Sequence, residues 1–270
     1  NLAAIRRDTS TLEVLPDGDV VYMTANFLQA PSGRDFRLVR LRQGDGARLW
    51  SRVRTEGNAD VGRPRIALGP NGAIYSGVRV TRINTDELIV DRYAADDGQA
   101  QWQWRSGPLP ATSPWTSTVQ RILDVPGRPL LALGNARANG LLATFDRLDG
   151  TLLWRTPLPA GSGPLGEGFQ LANAAVWGPG NRVQVALQVK ADAVSPIDGA
   201  LIEVDLDSGT MRERDEQLFG LGAASAPLAM LQAPDGSIRL LGSTDAFRPS
   251  RLALISFRSG TRLADGFELP

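Results

Sequence analysis

Cysteine and histidine are both absent from this chain, and lysine nearly so: of 29 basic side chains only Lys190 is not arginine. Each absence removes a class of chemistry. Without cysteine there are no disulfides, so reducing conditions leave the fold untouched. Without histidine or cysteine there is no Ser-His-Asp or Cys-His catalysis and no ordinary zinc or copper site. Charge of one sign is not in excess either. Basic and acidic residues number 29 each and the computed pI is about 6.6. That balance argues against nucleic acid or an anionic membrane as the main partner, because both reward positive charge. No apolar run approaches the roughly 18 residues of a spanning helix, and no signal peptide is visible. Helical periodicity is scarce as well; Asp215 to Leu221 is the nearest amphipathic stretch, and it is short.

What the chain does have is an internal repeat. A small acidic or hydroxyl residue followed by Gly recurs at Asp45-Gly46, Asp97-Gly98, Asp149-Gly150, Ser208-Gly209 and Ser259-Gly260, with spacings of 52, 52, 59 and 51. A Pro-led turn recurs at Pro16-Asp17-Gly18, Pro70-Asn71-Gly72, Pro126-Gly127-Arg128, Pro179-Gly180-Asn181 and Pro234-Asp235-Gly236, with spacings of 54, 56, 53 and 55. Two independent marks of one period, with strand-like content between them, predict an all-β propeller. The expected form is five four-stranded antiparallel blades of about 52 residues.

One repeat shows the physics. Arg65-Ile66-Ala67-Leu68 is a short apolar run, and Pro70-Asn71-Gly72 turns it. Ala73-Ile74-Tyr75 opens a second strand, and a loop follows through Arg82-Ile83-Asn84-Thr85. Leu88 to Tyr93 is a third strand, Asp97-Gly98 suits a tight hairpin, and Gln99 to Trp104 is a fourth. Eight residues before each turn Gly stand Leu38, Val90, Leu142, Leu201 and Leu252; five before it stand Leu41, Tyr93, Phe145, Val204 and Ile255. All are apolar, as central strands buried on both faces require. The blades are expected at 9–53, 54–105, 106–160, 161–215 and 216–270, in one domain over residues 1–270. Since no strand is left over to complete a blade at the other end, two arrangements stay open. Either five blades close by face packing, or the chain is part of a longer array. Asn1 in first place reads as a processed form or a fragment.

The stretch Ala143-Thr144-Phe145-Asp146-Arg147-Leu148-Asp149-Gly150-Thr151-Leu152-Leu153-Trp154 resembles a pyrroloquinoline-quinone-like (quinoprotein-type) propeller repeat. Trp50, Trp102 and Trp154 each sit four residues after the turn Gly. In that family the matching Trp docks a blade on its neighbour. The position holds Glu213 and Ala264 in the last two repeats, and the motif's acidic residue survives only as Asp146 and Asp205. The resemblance implies a propeller and a periplasmic or secreted location. It does not imply a bound quinone: many of those enzymes set adjacent cysteines against the cofactor, which this chain lacks.

Candidate chemistry is thin. Trp115 lies in the long segment Ser106–Thr118, either as a ligand contact or as a plug over the channel; Trp177 also falls outside the repeated register. The loops between second and third strands all carry a basic residue: Arg34, Arg79 with Arg82, Arg137, Lys190 and Arg248. On one face they would form a basic rim for an anionic ligand or an acidic partner surface; the plainer reading is chance and solubility. Carboxylates are the remaining acid–base groups, with Asp60, Glu167, Asp192, Asp198 and Asp245 on loops, and no spacing that selects a pair. The Gly-rich run 161–168 lacks the Lys-Ser/Thr ending of a phosphate loop and reads as an inter-blade connection.

The leading expectation is a non-enzymatic scaffold or binding module that presents loops to a protein or small ligand, with no cofactor. The alternative is an enzyme at the channel mouth. It would be either a quinoprotein-like oxidoreductase with pyrroloquinoline quinone and calcium or a carboxylate-based glycoside-active enzyme.

Overall fold

The computed structural model describes residues 11–26, 35–56, 60–61, 64–82, 85–110, 118–136, 139–157, 169–190, 198–208, 210–215, 225–235, 237–244 and 251–258. Its strands follow the repeat. Blade A is β1 (Thr11–Val14), β2 (Val20–Asn26), β3 (Asp35–Leu41) and β4 (Arg48–Thr55), hydrogen-bonded in that order. In blade B, β5 (Asp60–Val61) and β6 (Arg65–Leu68) both pair with β7 (Ile74–Arg82). Next come β8 (Thr85–Tyr93) and β9 (Ala100–Arg105), and β10 (Leu109–Pro110) also pairs with β8. Blade C is β11 (Thr118–Leu123), β12 (Leu130–Ala136), β13 (Asn139–Phe145) and β14 (Leu152–Pro157). Blade D is β15 (Phe169–Trp177), β16 (Arg182–Lys190), β17 (Asp198–Asp205) and β18 (Met211–Asp215). Blade E shows β19 (Ser225–Gln232), β20 (Ser237–Thr244) and β21 (Arg251–Arg258) among the described residues. Every pairing within a blade is antiparallel.

Chain contacts divide the molecule into two compact units, Asn1–Pro157 with blades A to C and Leu158–Pro270 with blades D and E. In the first unit two apolar layers form. Met23, Phe36 and Leu38 of blade A pack with Ile74, Val78, Val80 and Ile89 of blade B. Tyr75, Leu88 and Val90, on the opposite face of blade B, pack with Val119, Ile122, Leu130 and Phe145 of blade C. In the second unit Ala174, Val176, Ala186 and Leu201 of blade D meet Met230, Ile238 and Leu240 of blade E. Central strands β7 and β8 are buried on both sides, which is why their sequences do not alternate.

The two turn marks have distinct jobs. The Asp-Gly hairpin is a four-residue loop. Gly98 N–H donates to the Ala94 carbonyl at 3.0 Å and Ala94 N–H to the Gln99 carbonyl at 2.9 Å, so four residues make the loop. The loops at Gly46 and Gly150 repeat this geometry. The Asp carboxylate accepts the N–H two residues on, at 2.9 Å from Asp45, 2.8 Å from Asp97 and 2.8 Å from Asp149. Ser208 Oγ accepts from Thr210 N–H at 3.2 Å. One acceptor on a short side chain is all the turn requires, so Asp and Ser alternate there.

The repeated Trp closes onto the following blade. Trp50 Nε1 donates to the Ala95 carbonyl at 2.9 Å and Trp102 Nε1 to the Arg147 carbonyl at 3.0 Å, each three residues before the next turn Gly. A β-bulge at Leu49 and at Gln101 precedes each Trp and turns it toward its neighbour. Gly98 and Gly150, at φ +70° and +74°, lie flat under the two indoles. Trp154 holds the same register position opposite Thr144.

The blade limits need small corrections. β4 runs to Thr55, beyond the expected limit at 53, because its last residues still pair with β3. Leu109–Pro110 joins blade B through β8, not blade C. The loop expected through Arg82–Thr85 is shorter, since Arg82 still pairs with Thr85; Arg79 therefore lies inside strand β7.

Gly98 separates backbone strain from docking. A Cβ there would sit 2.7 Å from the Trp50 ring, whereas Gly44, at φ +94°, has open space. Gly44→Ala should cost about 1 kcal/mol from φ alone. Gly98→Ala should cost about 1–3 kcal/mol more through overpacking, read from urea unfolding at 25 °C. Equal losses would show that the indole contact is not needed.

Candidate functional site

The first strands of blades A to C lie side by side, β1 against β6 and β6 against β11. They carry three charged residues: Glu13 on β1, Arg65 on β6 and Arg121 on β11. Glu13 pairs with Val21 and so lies on the face of β1 turned toward blade B. Burial pushes its carboxyl above the ordinary range, and Arg121 only partly offsets this. Burial likewise lowers the Arg121 guanidinium, with Glu13 opposing. The two are close enough to feel each other's charge, in a partly desolvated place. Arg65 Nε donates to the Gln120 carbonyl at 3.3 Å, which ties β6 to β11.

A second polar cluster lies deep between blades A and B. Asp91, 1% exposed, accepts two bonds from Arg54 Nη1, at 2.8 and 2.7 Å. It also accepts from Gln103 Nε2 at 2.7 Å, Tyr93 OH at 3.2 Å and Ser76 Oγ at 3.3 Å. Arg54 Nη2 lies 2.5 Å from Glu56, and Arg105 bridges Glu56 at 3.0 Å and Glu87 at 2.8 Å. Burial alone would lower the Arg54 guanidinium, but Asp91 and Glu56 hold it above its ordinary value. Burial and then Asp91 raise the Tyr93 phenol far enough that it stays a donor at any physiological pH. Beside the cluster is a groove of about 490 Å³, bordered by Phe36, Arg52, Tyr93, Gln99 and Gln103. Asp91 has its lone pairs taken and its charge matched, so the cluster holds blades A and B together rather than reacting.

Of the expected rim residues, Arg79 and Arg82 are the two whose side chains are among the described ones. Arg79 sits within β7, opposite Leu88. Arg82 reaches Glu56, with Nη2 3.7 Å from its carboxylate. Lys190 ends β16, and its side chain is not among the described ones. Arg34, Trp115, Arg137 and Arg248 lie outside the described residues, as do Glu167, Asp192 and Asp245. Asp60 pairs with Thr81 and Asp198 with Val189 through their backbones. Among the described residues no group of three or more acidic side chains is placed to hold a metal ion, and no helix is long and apolar enough to cross a membrane.

Glu13, Glu56, Asp91 and Arg121 escaped the sequence reading, although a signal existed. Position by position in the repeat, Asp91 matches Val39, Ala143, Ile202 and Ala253, and Glu13 matches Ala67, Leu123, Val176 and Leu231. Each is a carboxylate where every other copy is apolar.

The chain matches no family model and no curated protein. Solved structures do share its fold. The alpha-L-arabinanase of Penicillium chrysogenum, complexed with arabinobiose, is 12% identical over 93% of this chain and 81% of its own, with a TM-score of 0.57. A Dyadobacter fermentans protein of unknown function is 12% identical over 92% and 78%, at 0.53. The fold is a β-propeller.

Two measurements test the charged residues. Asp91→Ala strips Arg54 of one of its two carboxylate partners and leaves Ser76, Tyr93 and Gln103 without their acceptor; it should cost about 3–5 kcal/mol in urea unfolding. Glu13 has a folded pKa above its unfolded value, so its stabilising contribution is complete below about pH 4.5 and is lost as pH rises through the folded value. Glu13→Gln should therefore unfold with a flatter pH profile above pH 4.5 than the parent. Parallel profiles would remove Glu13 from the desolvated site.

Proposed function

We propose that this chain is a carbohydrate-active propeller. It binds an oligosaccharide where the first strands of blades A to C lie side by side, and Glu13 serves as the proton donor in glycoside cleavage. The observation that carries this reading is the environment of Glu13: a half-buried carboxyl on a first strand, its pKa raised by burial and only partly offset by the charge of Arg121. Glycoside cleavage needs a carboxylic acid whose pKa is raised, so that it can protonate the leaving oxygen near neutral pH. Two further points support it. Histidine and cysteine are absent, which leaves carboxylates to do acid–base work. The propeller is shared with an arabinanase that holds arabinobiose.

A second reading, saccharide binding without cleavage, is favoured by one observation. Among the described residues Glu13 is the one carboxylate on β1, β6, β11, β15 and β19; the short β5, which pairs with β7 beside β6, adds Asp60. Hydrolysis requires a second one, roughly 5–10 Å away. The scaffold expectation needs neither feature and is set behind both.

The test is to incubate the protein with arabinan and arabino-oligosaccharides, following new reducing ends and bound sugar in parallel. Cleavage is expected, with Glu13→Gln lowering kcat by about 10²–10⁴ while binding persists. Binding without new reducing ends in the parent would establish the second reading. Neither binding nor cleavage would return the chain to the scaffold class.

A further inference from the structure

The internal repeat supplies a template for one groove. Blades A and B each carry an arginine six residues before the turn Gly, Arg40 and Arg92. Their Nη1 groups do the same work: Arg40 donates to the Ala95 carbonyl at 2.7 Å and Arg92 to the Arg147 carbonyl at 2.8 Å. Their remaining donors differ. Arg40 Nε donates to Asp19 at 2.8 Å, and its Nη2 to Asp17 at 2.5 Å. Those two carboxylates belong to the turn Pro16-Asp17-Gly18-Asp19. The matching turn of blade B is Pro70-Asn71-Gly72-Ala73, and both carboxylates are gone. Arg92 Nε is buried and has no hydrogen-bond partner. Among the described residues Nη1 reaches one further acceptor, the Leu148 carbonyl at 3.4 Å.

Over this guanidinium opens a groove of about 400 Å³ between blades B and C, bordered by Asn71, Ala73, Arg92, Arg128, Leu148 and Leu153. The carboxylate at its floor is already engaged. Asp124 forms an ion pair with Arg147 at 2.7 Å, and the Tyr75 hydroxyl stands against it, with a pKa pushed up to about 12 by burial and by Asp124. Asp146 accepts from Leu148 N–H at 2.7 Å. On the rim, Leu148 is 78% exposed and Leu153 53%.

A buried donor on a charged group is expensive to leave unpaired. The other copy of the motif shows what satisfies it. We propose that the groove between blades B and C binds a small organic carboxylate, which takes at Arg92 the place that Asp19 and Asp17 take at Arg40. Its apolar body lies on Leu148 and Leu153. A carboxylate fits better than a phosphate, because the groups it replaces are carboxylates and the planar guanidinium edge matches two oxygens. The site does not depend on the carbohydrate reading, since it lies at the turns and not on the first strands.

The test uses the full chain labelled with ¹⁵N-arginine. The Arg92 Nε–H resonance is identified by its loss in Arg92→Lys, or by through-bond assignment of the parent should that variant not fold. Titration with sodium benzoate should shift this resonance saturably, and benzamide should leave it in place. Ala73→Asp restores the carboxylate that Asp19 provides in blade A. It should move the resonance without any ligand and weaken benzoate binding by about tenfold or more. A shift that does not saturate, an equal shift with benzamide, or unchanged benzoate affinity in Ala73→Asp would overturn the proposal.

Discussion

One carbonyl oxygen per blade junction carries the order of the first unit. The Ala95 carbonyl accepts both Trp50 Nε1 and Arg40 Nη1, and the Arg147 carbonyl accepts both Trp102 Nε1 and Arg92 Nη1. Each acceptor lies in the four-residue turn of the next blade, so one blade's outer strands are fixed on its neighbour's hairpin. A single blade cannot bury two apolar faces alone. The indole supplies apolar area and a directional bond together, which an aliphatic side chain in its place could not. The turn Gly follows from the same requirement. It must take positive φ, and it must let the ring lie against the backbone, as Gly98 does under Trp50 and Gly150 under Trp102. The equal spacing of 52 between the first three Asp-Gly turns is the sequence record of that docking.

Apolar layers alone would let blades A and B meet in several registers, because one valine surface resembles another. Asp91 removes that freedom. Of its five hydrogen bonds the two from Arg54 cross from blade A, and a slip would part the buried carboxylate from that guanidinium, its one cationic donor. Such a charge costs more misplaced than its pairing contributes when correctly placed. Arg54, Glu56, Arg105 and Glu87 extend the same logic outward, toward solvent, where screening weakens each pair.

The architecture was legible because turns are chemically narrow. Pro, Asn, Asp and Gly at fixed offsets leave few backbone choices, and their period of about fifty residues specifies blades. The length of the Asp-Gly loop was not legible, since the same dipeptide serves two-residue and four-residue hairpins. The polar sites were harder for another reason. Asp91 and Arg54 are 37 residues apart, and Glu13 and Arg121 lie on different blades; only the stacking of sheets brings them together. Basic residues on loops drew attention by composition, yet Arg82 turns back to Glu56, and Arg79 belongs to a strand.

A repeat protein contains its own alignment, and departures from it separate two kinds of residue. Where all copies agree, as at the turn Gly, the residue answers to the blade. Where one copy breaks an apolar position with a charge, the blade gains nothing, and another cause must be found. Asp91 has a structural cause, a complete set of donors: Arg54 from blade A and Ser76, Tyr93 and Gln103 from its own blade. Glu13 has none of comparable strength: it is desolvated, faces a guanidinium itself destabilised by burial, and replaces residues that are apolar in four other repeats. Arg92 presents the inverse case, a charge retained while the two carboxylates that match it in blade A have become Asn71 and Ala73. Neither arrangement recurs in the other copies, so neither is required by the blade as such.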